Sequence, residues 1–221
     1  MFHKKSQEYP EKIERIDNIK VNVYVIKLDK IVQIDAGRSQ DADKIIKYYR
    51  NSGSAPDYIL ITAVDYLHVG GLKKLYEEFK PKIFVSKNEM DKLSNGSDFK
   101  GIMEVEGNSI SYEGVKYFNT YARLNMDDFE IIYTPGYTSG NVSIYYKPDN
   151  VLFTGEAVAI KRNGISIDKM FIINESQAIE SMNKIKNMKP ILIYSFSGYF
   201  IDNLITNYRI LSINKFKVYL F

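Results

Sequence analysis

One histidine of this chain stands where it could do chemistry. His68 lies in a loop that follows the short apolar run 59–61 and precedes a double glycine, and Asp65 is three residues before it. An imidazole can bind a metal ion or transfer a proton, and a neighbouring carboxylate tunes both properties. The second histidine, His3, is in a terminal segment of the kind that usually frays. We therefore expect any histidine chemistry to depend on His68.

Other catalytic arrangements lack the residue types that they need. The chain has no cysteine, which excludes disulfides, thiolate ligands and a cysteine nucleophile. It has neither a Gly-x-Ser-x-Gly elbow nor a Gly-x-x-x-x-Gly-Lys phosphate loop, so a serine hydrolase and a P-loop protein are not expected. Its net charge is +3, with basic and acidic residues interspersed, which argues against a nucleic-acid partner.

Size and composition predict one soluble domain. A chain of 221 residues can bury a substantial core, and 45% apolar and 26% charged residues are ordinary for a globular protein. The N-terminus is charged, and no apolar run reaches the length of a membrane span. We expect a cytoplasmic protein without a membrane partner. The single domain 1–221 would have its core at about 12–200 and a C-terminal tail at 201–221.

The segments around the His68 loop predict alternating strands and helices. Apolar residues at helical spacing predict helices at 41–51 and 72–79, and Asn174 with Gln177 predicts the start of a third. Both halves of the chain begin with strands and continue with strands and helices in turn, which is typical of mixed sheets packed face to face with helices outside. Strands are expected at 21–28, 31–34, 58–62, 83–85, 129–133, 142–146, 151–153 and 191–194, and a connecting β region at 94–120.

Five motifs keep a fixed order along the chain. ILITAVDYLHVGGL at 59–72 contains Thr62 and His68, and it is accompanied by QIDAG at 33–37, YTPGYTSG at 133–140, VLFTGEA at 151–157 and YSFSG at 194–198. Together they resemble the metallo-β-lactamase superfamily, in the style of its glyoxalase II-like branch, whose first metal loop reads Thr-His-x-His-x-Asp-His-x-Gly-Gly. The resemblance implies an α/β (α+β) fold, a four-layer αββα sandwich of two mixed β-sheets flanked by helices.

The resemblance also implies which residues stand at the family's metal-ligand positions. Only Asp65, His68 and Glu156 could still coordinate, the first on one metal, the second on the other, and the third as the bridge. A catalytic zinc normally keeps three protein ligands, so hydrolysis by two bridged metals is not expected. The seven positions hold Ala63, Asp65, Leu67, His68, Tyr137, Glu156 and Ser197, with Phe196 as the alternative to Ser197.

Two interpretations of the three remaining ligands stay open. In the first, Asp65 pairs with His68, Glu156 meets water or a cation such as Lys161 or Arg162, and no metal is bound. The chain would then be a non-hydrolytic binding or structural relative with a small-molecule ligand in its cleft. In the second, Asp65, His68 and Glu156 hold one iron, manganese or zinc ion, and the chain hydrolyses an ester, thioester or phosphoester.

Two further cleft candidates and the tail have their own expectations. Asp35 is expected to order the His68 loop by accepting backbone hydrogen bonds. Tyr137 is expected to fill space left by absent metals, because its phenol is a poor ligand at neutral pH. The aromatic segment 215–221 predicts an edge strand or an interface, so a homo-oligomer is a further expectation.

Overall fold

The first half of the chain forms a six-stranded sheet. The computed structural model describes residues 10–89, 119–161 and 164–195 in full, and the backbone alone of Phe118 and of residues 198–201. In this sheet the strands follow chain order. The first three strands pair antiparallel, and from the third strand to the sixth each pair is parallel. They are β1 (Ile13–Arg15), β2 (Tyr24–Lys27), β3 (Ile31–Ile34), β4 (Tyr58–Leu60), β5 (Lys82–Val85) and β6 (Phe118–Thr120).

Helices connect the parallel strands of this sheet. The long crossover after β3 is α1 (Ala42–Ser52), and the crossover after β4 contains the single turn α2 (Tyr66–Val69) followed by α3 (Leu72–Phe79). Gly53 ends α1 in the left-handed conformation at φ 63°, which a glycine adopts without steric cost. This connection places the His68 loop at the carboxyl end of β4, where open sheets commonly build their sites.

The second half forms a five-stranded sheet and an outer hairpin. The sheet has the order β13-β12-β9-β8-β7, in which only β9 and β12 are parallel. Asn174 begins the helix that covers this sheet by accepting a hydrogen bond from Gln177 N at 3.0 Å, as the sequence predicts. The elements are β7 (Phe129–Tyr133), β8 (Val142–Tyr146), β9 (Val151–Phe153), β10 (Ala159–Lys161), β11 (Gly164–Ser166), α4 (Glu175–Met188), β12 (Leu192–Ser195) and β13 (Gly198–Ile201).

Three buried clusters separate four layers. The first lies between the six-stranded sheet and α1 to α3, and includes Tyr49 and Leu75. The second contains side chains of both sheets, such as Leu60 and Phe153, and forms the middle of the molecule. The third joins the five-stranded sheet to α4 and the β10–β11 hairpin, with Ile185 at its centre. The predicted αββα sandwich is confirmed.

Several elements differ from the prediction, mostly because they are short. The sequence predicts no element at β1, α2 or the β10–β11 hairpin, each of which has only three or four residues per strand or helix. Four residues are too few to show a helical period. The tail 215–221 and most of the predicted β region 94–120 lie outside the described residues. None of the helices in the described ranges has both the length and the apolar character needed to cross a membrane.

Candidate functional site

Asp35 lies at the carboxyl end of β3 and is held in an unusual backbone conformation. Its φ is 61°, in the left-handed region that few non-glycine residues adopt, and its side chain is buried. The carboxylate accepts two hydrogen bonds from Thr62, one from the backbone N and one from Oγ1, both at 2.8 Å. Asp35 therefore orders the start of the loop after β4, as the sequence predicts.

Burial gives the Asp35 carboxyl an altered acidity. Removal from water raises its pKa to about 6, although the charge of His68 and the Thr62 hydrogen bonds oppose the rise. Near neutral pH the carboxylate form still predominates. Asp35 thus contributes negative charge to the region around His68.

Asp65 and His68 form a closed pair within one helical turn. Asp65 is the N-cap of α2, and its Oδ1 accepts hydrogen bonds from the backbone N of Leu67 at 2.7 Å and of His68 at 3.1 Å. The Nδ1 atom of the His68 ring lies 2.8 Å from both carboxylate oxygens of Asp65. Both side chains are buried, with 5% and 2% of the two residues exposed. The pair predicted from the three-residue spacing is present.

This pair favours the charged form of both partners. Burial alone would lower the pKa of His68, but the carboxylates of Asp65 and Asp35 outweigh it and raise the pKa to about 10. Burial alone would raise the pKa of Asp65, but the charge and hydrogen bond of His68 hold it below its usual value. The site therefore contains an imidazolium bonded to a carboxylate at neutral pH.

Gly70 and Gly71 allow the loop to pack against the end of β3. A Cβ on Gly71 would lie 2.3 Å from the carbonyl oxygen of Ala36, and one on Gly70 would lie 2.6 Å from the backbone N of Ser39. Gly71 N also donates to the carbonyl of Gly37 at 3.0 Å. The double glycine thus has a packing reason that is independent of any ligand.

Tyr137 brings the second half of the chain to the pair. It lies in the loop between β7 and β8, and its hydroxyl is hydrogen-bonded to the Asp65 side chain. Its ring stands edge-on to the ring of His68 with centroids 6.2 Å apart. Burial raises the pKa of Tyr137, so its hydroxyl stays protonated and donates to the carboxylate. Tyr137 does more than fill space, because it bonds to a residue of the other half.

Glu156 approaches the same group from the end of β9. It follows Gly155, where a Cβ would lie 2.4 Å from Thr62 Oγ1, so the two halves are in close contact here. Burial raises the pKa of Glu156 to about 8, against the opposing charge of His68 and with a further rise from Asp65. Among the residues that the structure describes, no lysine or arginine forms an ion pair with Glu156; the alternative partner Arg162 is outside them.

A small cavity adjoins Asp35 and His68. Its volume is about 10 Å³, which is the lower limit for one water molecule. Asn22 Nδ2 donates to the carbonyl of Ser195 at 2.9 Å, and the Tyr24 hydroxyl donates to the same atom at 3.4 Å. The lining consists of Asn22, Tyr24, Ile34, Asp35, His68, Phe153, Gly155, Tyr194 and Ser195.

The cavity residues of β2 and β12 do not stand out in the sequence. Asn22 lies two residues before Tyr24, the first residue of β2, and within the strand predicted at 21–28 the two would share one face. Tyr121 was likewise not predicted, and its hydroxyl donates to the carbonyl of Ile61 at 2.8 Å, beside the His68 loop. A polar residue on the inward face of a strand is the signal that could have identified Asn22.

Comparison with known proteins assigns the family. Residues 17–195 match the family described as the Metallo-beta-lactamase superfamily. The chain belongs to this superfamily. The probable metallo-hydrolase YybB of Bacillus subtilis (strain 168) is 28% identical over 182 residues, which are 81% of this chain and 81% of that protein. The hydroxyacylglutathione hydrolase of Pelagibacter ubique (strain HTCC1062) is 26% identical over 148 residues, 66% of this chain and 53% of that protein.

A solved structure shows the same fold. The archaeal metallo-β-lactamase superfamily protein ST1585 from Sulfolobus tokodaii superimposes with a TM-score of 0.68 at 22% identity, covering 88% of this chain and 83% of that one. The match at residues 17–195 confirms the resemblance to the superfamily that the sequence predicts, and the superposition agrees with the fold.

The family's metal centre can be compared with the residues that this member supplies. Ala63 is buried and has no ligand atom, and Leu67 packs against the first core cluster. Within the described ranges, no three histidine, aspartate or glutamate side chains are grouped so that they could hold one metal ion. Ser197 and Phe196, at the last ligand position, are outside the described side chains.

Proposed function

We propose that this chain is a non-hydrolytic member of the metallo-β-lactamase superfamily in which a protein-only cluster replaces the metal centre. The cluster consists of Asp65, His68 and Tyr137. These residues stand at three ligand positions that the family resemblance implies, and here they bond to one another. The chain would act as a binding or structural module built on the αββα scaffold.

One observation carries the proposal. Both carboxylate oxygens of Asp65 lie 2.8 Å from Nδ1 of His68, and the same carboxylate accepts the hydroxyl of Tyr137. Nδ1 of His68, the Asp65 carboxylate and the Tyr137 hydroxyl thus direct their protons and lone pairs at one another. The side chains are thereby satisfied without an ion.

The charges support the same conclusion. A metal centre supplies positive charge that balances the carboxylates around it. Here the imidazolium of His68 lies among Asp65, Asp35 and Glu156, each of which raises the pKa of the histidine. Burial of carboxylates without a counterion is costly, so a cation in this position stabilises those that stay ionised. His68 supplies this positive charge through its proton, without a metal.

The size of the neighbouring cavity favours a structural role for this part of the cleft. Pockets for small molecules usually have volumes of about 300–1,000 Å³. The cavity beside Asp35 and His68, at about 10 Å³, has room for no more than one water. A small-molecule ligand in the cleft remains a prediction, and it would have to bind outside this cavity.

A second candidate function is a hydrolase with a reduced one-metal site. It is favoured by the names of similar proteins, such as the probable metallo-hydrolase YybB, and by the three acidic side chains whose charges act on His68. Its substrates would be esters, thioesters or phosphoesters. His68 would first have to lose the proton on Nε2, because its Nδ1 is already bonded to Asp65.

Metal analysis and activity distinguish the two functions. The full chain is purified without chelator, its zinc, iron and manganese are measured by elemental analysis, and turnover is assayed with ester, thioester and phosphoester substrates. We expect substoichiometric metal, no turnover that responds to added metal, and the same melting temperature with and without EDTA. Stoichiometric metal together with turnover that EDTA and His68→Ala both abolish would establish the hydrolase.

A further inference from the structure

An exposed apolar segment lies between the β10–β11 hairpin and α4. Met170 is 71% exposed, Phe171 41% and Ile173 68%, although all three are large hydrophobic residues. Ile179, just over one turn into α4, is 40% exposed. Contiguous apolar groups of this kind usually mark a surface that something covers. We call Met170, Phe171, Ile173 and Ile179 the apolar rim.

The backbone of the apolar rim is fixed. Asp168 stabilises the turn at its start, because its carbonyl accepts a hydrogen bond from Phe171 N at 3.2 Å and its Oδ1 accepts one from Met170 N at 3.3 Å. Lys169 forms an ion pair with Glu175 across the segment. The apolar side chains are thus presented outward by an ordered loop.

The apolar rim also borders the Asp65–His68–Tyr137 cluster. The carbonyl of Gly136 accepts hydrogen bonds from Ile173 N at 2.8 Å and from Asn174 N at 3.1 Å, and Gly136 directly precedes Tyr137. On its other side, Asp168 is near enough to Glu156 for its charge to act on that carboxyl. A segment that covered the rim would therefore lie beside the cluster.

We propose that residues 215–221 of this same chain pack on the apolar rim. This segment reads KFKVYLF and supplies Phe216, Val218 and Leu220 at alternate positions. An extended chain places such residues on one face, so one apolar face can meet the rim while Lys215 and Lys217 point to water.

The position of β13 makes this contact reachable. β13 ends at Ile201, which pairs with Leu192 at the beginning of β12, and it contacts β10 of the hairpin that leads to the rim. Residues 202–221 follow Ile201. The thirteen residues 202–214, which connect Ile201 to the segment, span up to about 43 Å when extended. The path back past four-residue β12 is about 13 Å and the length of α4 is about 21 Å, so the connection is long enough.

Attachment to the same chain favours this occupant over a second copy. A segment tethered to its binding surface within the same chain can reach an effective concentration in the millimolar range, far above that of free protein at micromolar concentration. The inference is independent of the proposed function, since it concerns what lies on the rim and not whether a metal is bound.

Cross-linking tests the contact directly, because the chain has no cysteine of its own. Ile173→Cys is combined in turn with Phe216→Cys, Val218→Cys and Leu220→Cys in the full chain, and disulfide formation is followed by non-reducing electrophoresis and mass spectrometry. We expect at least one pair to cross-link within the monomer, at a rate that does not depend on protein concentration. The matched control replaces Ile173→Cys by Lys47→Cys, on the exposed face of α1, and should remain largely unlinked.

Other outcomes would overturn the proposal. Cross-linked dimers without cross-linked monomers would show that a second copy covers the rim. Yields no higher than those of the Lys47→Cys control would show that the segment does not reach it. As a second measurement, deletion of 215–221 should increase both hydrogen exchange in 168–174 and the fluorescence of a bound hydrophobic dye; unchanged values would also overturn the proposal.

Discussion

At the scale of a single residue, the Asp65 side chain makes three different stabilising interactions. It caps α2, it holds the ring of His68, and it accepts the hydroxyl of Tyr137. Each of these interactions uses an oxygen of the Asp65 side chain, and all three are stronger when that side chain is ionised. The proposed loss of metal chemistry is therefore accompanied by a gain of buried hydrogen bonds.

Removal of the ring should destabilise the fold strongly. His68→Ala leaves the buried carboxylate of Asp65 without its cation, and breaking a buried pair in this way typically costs about 3–5 kcal/mol. The measurement is the free energy of unfolding in urea. Lys74→Ala is the control, since it removes an exposed ion pair with Asp43 and should cost less than about 1 kcal/mol. Equal effects of the two substitutions would contradict a buried pair.

The buried groups also predict how stability depends on pH. The pKa of His68 is raised from 6.5 to about 10, so its stabilisation is complete below pH 6.5 and is lost as the pH rises to 10. The pKa values of Asp35 and Glu156 are raised to about 6 and about 8, so the folded state favours the protonated forms of both groups. Their contribution to stability is therefore also lost as the pH rises, but at lower pH than that of His68. The pKa of Asp65 is lowered, so its contribution to stability is lost in the opposite direction, as the pH falls below the usual pKa of an aspartate.

The free energy of unfolding should therefore fall between pH 6 and pH 9. Urea titrations across this range measure it. Glu156→Gln removes one contribution and should make the decline shallower, while the part due to His68 remains. A stability that increased from pH 6 to pH 9 would contradict the assigned protonation states.

At the scale of elements, the double glycine sets how closely α3 approaches the end of β3. Gly71→Ala would place a methyl group 2.3 Å from the Ala36 carbonyl oxygen. Backbone cannot yield as a flexible side chain can, so we expect a loss of about 1–3 kcal/mol, the usual cost of overpacking, or more.

A second glycine provides the matched control for this substitution. Gly53→Ala introduces a methyl group that meets nothing within 4 Å, and only the left-handed φ of 63° opposes it. Its cost should be about 1–2 kcal/mol. If Gly71→Ala were the milder of the two in urea unfolding, close packing would not be the reason for the double glycine.

How well the elements and the site could be predicted depends on how far apart in the sequence the interacting residues are. The sandwich and the Asp65–His68 pair could be predicted, because they depend on local periodicity and on a three-residue spacing. The bond from Tyr137 to Asp65 could not, since it depends on how two separate halves meet. The β10–β11 hairpin was missed although Asn163-Gly164 is a common hairpin turn signal.

At the scale of the whole molecule, the two sheets share one core. The second buried cluster includes Ile26 and Leu60 from one sheet and Ile144 and Phe153 from the other. The loops add a backbone hydrogen bond across the halves, from Val142 N to the carbonyl of Thr62 at 2.8 Å. Neither sheet can be exposed alone without opening this core.

Unfolding should therefore be a single cooperative transition. The chain has 18 tyrosines and no tryptophan, so tyrosine fluorescence and far-ultraviolet circular dichroism are the two probes. We expect their urea curves to coincide. Tyr137→Phe should shift both equally, by about 1.5–3 kcal/mol, the value of a hydrogen bond to a charged group. Two separate transitions would show that the halves fold independently.

The closed pair of Asp65 and His68 also makes the site visible to nuclear magnetic resonance. An imidazolium proton held by a buried carboxylate exchanges slowly with solvent and resonates far downfield of the amide region. The chain has only two histidines, so substitution of His3 leaves a single ring whose signals need no further assignment. The nitrogen shifts of that ring would report directly whether it carries a proton or a metal. One spectrum of the intact protein would thus distinguish an ion pair from a metal site.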